Sequence, residues 1–195
     1  MPIFDTQPKR AFEQFETHIE EVVRSVLDMP SPTKLTLKWR DLDGVLEFTR
    51  NSIGTTVPLN TRYGQLHLSI SQDLTALREG RRYRLRTQRY AYKLLPSQDP
   101  RAEAVIRWEF DSATDDRAEC RNHLHVNAAL PFGHGTLDLK RVHVPTAWVL
   151  IEHVLRFLFH DLHVPPKTQD WPQILRDSET KFYESFTSKR YKWRG

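Results

Sequence analysis

An α+β fold, built on an antiparallel sheet, is what this sequence predicts, and three observations carry the prediction. A helix-period segment at the start gives way at Lys34 to a period of two that persists to about residue 144. The strand-like runs are separated by short, turn-forming stretches, too brief for a parallel crossover, so neighbours must run antiparallel. The stretch from Val144 to Val164, VPTAWVLIEHVLRFLFHDLHV, is apolar around nearly its whole circumference when drawn as a helix. Such a helix needs burial on most sides. The expected architecture is a single domain: an antiparallel meander sheet over 34–144 wrapped on one central apolar helix at 145–162. A helix at 8–28 and a second near the carboxyl end flank it, and a basic tail at 188–195 closes the chain.

The first helix follows from Phe12, Phe15, Ile19, Val22, Val23, Val26 and Leu27, which recur at helical spacing after Pro8. The MPSPT stretch then acts as a linker. Leu35, Leu37 and Trp39 alternate with Thr36, Lys38 and Arg40, and Asp43-Gly44 reads as the tight turn of a hairpin leading into VLEFTR. Leu66, Leu68 and Ile70 mark the next strand, and Asp73 to Glu79 reads as a short helical turn stopped by Gly80. Four further strands are expected in RRYRLRTQRYAYKLLP, EAVIRWEFD, RNHLHVNAAL and TLDLKRVHV. Pro145 suits the first turn of the central helix, and Pro165-Pro166 end it. Its polar residues Glu152, His153, Arg156, His160 and His163 share one arc, most simply a solvent face, with Glu152 and Arg156 spaced to pair. A last helix is expected from Trp171 to Thr187, capped by Asp170.

The charge of +4 over 195 residues is modest but uneven. Seven basic residues stand between Arg78 and Lys93 against Glu79 alone, whereas 99–119 holds seven acids against three arginines. This asymmetry points to an anionic partner met by a patch. A single cysteine, Cys120, excludes an internal disulfide and a cysteine-rich zinc site, and its acidic neighbours disfavour a thiolate nucleophile. The opening residues lack the apolar core of a secretory leader and no segment is long enough to span a bilayer, so the expected location is cytoplasmic, off the membrane. P-loop, GxGxxG, GxSxG and HExxH motifs are absent from the sequence.

The sharpest chemical signal is Asn122-His123-Leu124-His125-Val126-Asn127. On a strand, His123 and His125 share a face, about 6.6 Å apart at their Cα atoms. The preceding strand offers Arg107, Glu109 and Asp111 on its polar side, and pairing the two gathers all five on one patch. Two imidazoles so placed can take and give a proton at one phosphodiester, with Arg107 stabilising the phosphoryl charge and Glu109 or Asp111 raising a histidine's pKa. This needs no metal or other cofactor when an RNA 2′-hydroxyl is the nucleophile. The plain alternative is that the histidines are polar filler neutralised by the carboxylates. A third reading makes His-x-His plus carboxylate a metal site, completed by His143 or His153. The arginine strand presents Arg82, Arg84 and Arg86 on the same face as Gln88, Tyr90 and Tyr92, a combination suited to a nucleic-acid backbone and base stacking. Its plain alternative is a solvated outer strand paired with the acidic segment.

With RYRLRTQRYAY, RWEFD, NHLHV and the Glu152 helix in hand, the chain resembles the TumE-like toxins of bacterial toxin–antitoxin systems over residues 80–162. The resemblance implies RNA cleavage and an antitoxin partner. The chain departs from that pattern in about eighty extra amino-terminal residues and in Asp111-Ser112, where the toxins carry an Asp-Asn pair. The first expectation is therefore an RNA-directed, metal-independent toxin-type ribonuclease. The second is a non-catalytic nucleic-acid-binding or interaction subunit of a toxin–antitoxin or defence complex. The third is a metal-dependent hydrolase.

Overall fold

A computed structural model describes residues 4–114, 121–132, 135–139 and 142–186. Cys120 and the expected tail at 188–195 lie outside the described residues. In chain order come β1 (Phe4–Asp5), α1 (Pro8–Val26), β2 (Lys34–Arg40), β3 (Asp43–Arg50), β4 (Ile53–Gly54), β5 (Val57–Thr61), β6 (Gly64–Glu79) and β7 (Arg82–Leu95). Then follow β8 (Ile106–Asp111), β9 (Asn122–Val126), β10 (Ala129–Phe132), β11 (Gly135–Asp138), β12 (Val144–Pro145), α2 (Ile151–His160) and α3 (Trp171–Phe186). The fold is α+β with a large antiparallel sheet, ordered β12-β9-β8-β7-β6-β3-β2; β1, β4 and β5 add to β7, β3 and β6. β10 and β11 form a separate hairpin. Among the described residues no helix is long and apolar enough to cross a membrane.

Alternation decides which face is buried. The inner face collects Leu35 and Leu37 of β2, Leu46 and Phe48 of β3, Leu68, Ile70, Leu74 and Ala76 of β6, and Trp108 and Phe110 of β8. α1 lays Phe12, Phe15, Ile19, Val22, Val23 and Val26 into that core, and α2 adds Ile151, Val154, Leu155, Leu158 and Phe159. The helical layer is thus shared between α1 and α2. Gly44 is needed inside β3: a Cβ there would sit 3.1 Å from the Trp39 Cβ and 3.2 Å from the Phe12 ring. The hairpin turn falls on Asp41 and Leu42 instead, since Arg40 pairs with Asp43 and Asp41 takes a positive φ of 56°.

Two further elements differ from expectation. Asp73 to Glu79 is strand, because each residue finds a ladder partner on β7, a tertiary demand that overrides local helix signals. The expected 145–162 helix begins only at Ile151: Val144 and Pro145 pair with Leu124 and His123 as β12, and 146–150 continue without helix. Three residues of the polar arc, Glu152, His153 and Arg156, face α3, while His160 is exposed beside Asp161 and His163 meets Arg62. Glu152 is buried against Ser178, and Arg156 pairs with Glu179 at 2.6 Å in place of Glu152. α3 starts at Trp171, and the carbonyl of the preceding Asp170 accepts the Gln173 and Ile174 N–H groups.

Candidate functional site

The register of β8 on β9 sets Arg107 opposite His125 and Glu109 opposite His123, while Trp108 faces Leu124 on the other side. Trp108 and Phe110 are held inward by ring contacts to Phe157 at 5.4 Å and Trp148 at 4.4 Å. Their neighbours in sequence are thereby fixed on the outer face. β12 runs along the far side of β9, and the residue before it, His143, arrives beside the pair. The ring centroids lie 4.7 Å (His123–His125), 4.8 Å (His123–His143) and 4.5 Å (His125–His143) apart. One ligand nitrogen from each falls within 4.8 Å of the others.

Glu109 sits among them. Its Oε2 lies 3.4 Å from His123 Nε2, 3.5 Å from His125 Nε2 and 3.1 Å from Arg107 Nε. The Arg107 Nε–H is buried yet not aimed at that oxygen, so the last contact is a charge contact without hydrogen-bond geometry. His123 is buried, His125 half-buried and His143 exposed, so the cluster opens to solvent on the His143 side. Burial, followed by Arg107, His123 and His143, pushes the His125 pKa down, and Glu109 opposes this without reversing it. The rise expected of a histidine beside Glu109 therefore does not occur at His125, where burial disfavours the charged ring. Asp111 does not join the cluster; its Oδ1 accepts the Ala113 N–H at the end of β8.

His153 is also excluded as a ligand. Its Nδ1 accepts the Leu150 N–H at 3.2 Å, so its Nε2–H donates to Glu179 at 2.9 Å, and both nitrogens are engaged at the start of α2. His143 is the partner that the sequence could name but not place, because its position depends on how β12 registers against β9.

The arginine strand divides. A bulge on β7 at Gln88, where Asp73 pairs with Arg89 but Leu74 with Thr87, reverses the alternation midway. Leu85 and Thr87 are buried before it, and Tyr90, Tyr92 and Leu94 after it. Tyr90 accepts the Val149 N–H at 3.0 Å and donates to Asn122 Oδ1 at 3.2 Å, and burial raises its pKa to about 12. Tyr92 donates to Gln72 Oε1. Neither ring offers a face to a base, which corrects the stacking role expected of Tyr90 and Tyr92. Arg82, Arg84 and Arg86 remain on the outer face, joined there by Arg89 and Lys93, which sequence reading assigned to no site. Arg84 and Arg89 pair with Glu79 and Asp73 at 2.8 and 2.6 Å. Arg82, Arg86 and Lys93 carry no ion pair among the described residues.

Comparison with protein-family models, curated proteins and solved structures finds no match for the chain.

Proposed function

We propose that the chain is a metal-dependent hydrolase of nucleic-acid phosphodiesters, with His123, His125 and His143 as ligands of a zinc-like transition-metal ion. The observation that carries this reading is the convergence of three imidazole nitrogens within 4.8 Å beside one carboxylate. Three histidines and an open fourth position are the donor set of hydrolytic zinc sites, where the ion brings the pKa of bound water down to about 7. Metal–nitrogen bonds of about 2.0–2.1 Å would need nitrogens roughly 3.4 Å apart, so the three rings would have to draw closer to hold the ion. Glu109 is within reach to serve as base or further ligand, and Arg107 beside it would meet a phosphoryl oxygen.

The substrate class follows from the outer face. Arg86 and Lys93 lie seven residues apart on β7, and Lys93 pairs with Arg107, so the basic row runs roughly 23 Å into the cluster. That length suits an extended polyanion gripped along its backbone, with no base stacking on Tyr90 or Tyr92. A second reading, the metal-free acid–base ribonuclease suggested by the TumE-like resemblance, is favoured by Glu109 standing between His123 and His125. Cleavage of a labelled single-stranded RNA, before and after dialysis against a chelator, separates the two. Loss on chelation with recovery on adding zinc or manganese supports the metal site. Chelator-resistant cleavage that His125→Ala abolishes would replace it with the acid–base pair. Salt-sensitive binding without cleavage would reduce the protein to a nucleic-acid-binding subunit.

A further inference from the structure

On the helical side of the sheet, away from the imidazole trio, a cavity of about 460 Å³ opens between α1, the inner face of β6 and β7, the segment leading into α2, and α3. Phe15, Ile19, Trp148 and Phe182 give it apolar walls. This size and lining are those of a small-molecule site, which needs few polar groups to orient its occupant. One such group is Glu152, a carboxyl only 2% exposed. Its Oε1 accepts the Ser178 hydroxyl proton at 2.5 Å, and Ser178 Oγ in turn lies 3.1 Å from His18 Nε2. Because the serine proton is committed to Glu152, the histidine must donate, so the chain runs His18 Nε2–H to Ser178 Oγ–H to Glu152. His18 thus acts as a neutral donor, consistent with burial lowering its pKa.

Nothing in the proposed hydrolytic chemistry uses this carboxyl, and burying it in an apolar wall is costly without a cation. The charges around the cavity favour one. Glu21 and Glu152 line it, with Glu13 beside them already paired to Lys9 at 3.7 Å, against Lys181 as the one lysine or arginine among the lining residues. We propose that the cavity binds a small organic amine, its apolar body between Phe15, Ile19 and Trp148 and its ammonium against Glu152.

The test uses the full chain, with phenethylamine as probe and 2-phenylethanol as its neutral counterpart. Calorimetric titration at pH 7 is expected to give one site for phenethylamine and at least tenfold weaker binding of the alcohol. Glu152→Gln, which keeps an acceptor for Ser178, should weaken the amine at least tenfold and leave the alcohol unchanged. The Trp148 indole N–H resonance should move on adding amine, and His143→Ala should not alter the affinity. Absence of amine binding, equal binding of the alcohol, or unchanged affinity in Glu152→Gln would each overturn the proposal. Should Glu152→Gln fail to fold, the amine–alcohol comparison on the natural chain decides alone.

Discussion

The two faces of β8 and β9 treat adjacent residues in opposite ways. Trp108, Phe110 and Leu124 point inward and meet Phe157, Trp148 and the helical layer, where close packing fixes each ring. Arg107, Glu109, His123 and His125 point outward, and the other three gather round Glu109 Oε2 at 3.1–3.5 Å, looser than good charge-assisted hydrogen bonds. The inner face spends its side chains on holding the sheet. The outer face holds three imidazoles, a carboxylate and a guanidinium within reach of one another, an arrangement that suits a ligand. If this division is right, substitutions on the two faces should separate stability from binding.

The largest effect is expected inside. Trp108→Ala should lower the unfolding free energy by about 3–5 kcal/mol, as large-to-small core changes do, measured by urea denaturation. A change under about 1 kcal/mol would mean that the inner face does not anchor the site. His143→Ala should do the reverse: stability within about 0.5 kcal/mol, but zinc affinity reduced by more than the roughly 10–100-fold typical of losing an outer-shell partner. Tyr90→Phe comes next, at about 1–3 kcal/mol, because it leaves the Val149 N–H without its acceptor.

Acidity sharpens the same contrast. His18, His67 and His125 all have pKa values lowered from the ordinary 6.5, with burial the first cause in each. Below 6.5 the unfolded chain takes up protons that the folded chain refuses, so stability should fall as pH drops from 7 toward 5. Glu152, raised from 4.5 by burial, contributes the opposite slope: its share is fully present below 4.5 and is lost as pH rises from there through its raised folded value. Denaturation midpoints across pH 4–7.5 in the metal-free protein check both signs, and His18→Gln should flatten the upper part. The smallest effects on stability belong to the outer arginines. Arg82→Ala and Arg86→Ala should leave stability unchanged, while each lowers the salt dependence of single-stranded RNA binding by about 0.7 in log–log slope.

Much of this division was legible in the sequence, because alternation along a strand is a local property. RWEFD and NHLHV each announce an apolar and a polar side, and the antiparallel pairing of neighbouring strands follows from short connections. What was not legible depends on partners distant in sequence. The bulge at Gln88 reverses the arginine strand, sends Tyr90 and Tyr92 into the core and brings Arg89 outward, and no residue type marks it. β12 takes Val144 and Pro145 out of the expected helix because β9 offers them an edge. That pairing also brings in His143. The VHV pattern at 142–144 allows a strand with His143 on one face, but only the register against His125 turns a lone histidine into the third member of a cluster.

Cobalt titration of the metal-free protein, followed in the visible spectrum, tests the central claim most directly. The account predicts saturation at one equivalent with the absorption of a nitrogen-ligated, near-tetrahedral ion, lost in His123→Ala, His125→Ala and His143→Ala but kept in His153→Ala. A featureless titration, or one whose signal survives removal of His143, would contradict it.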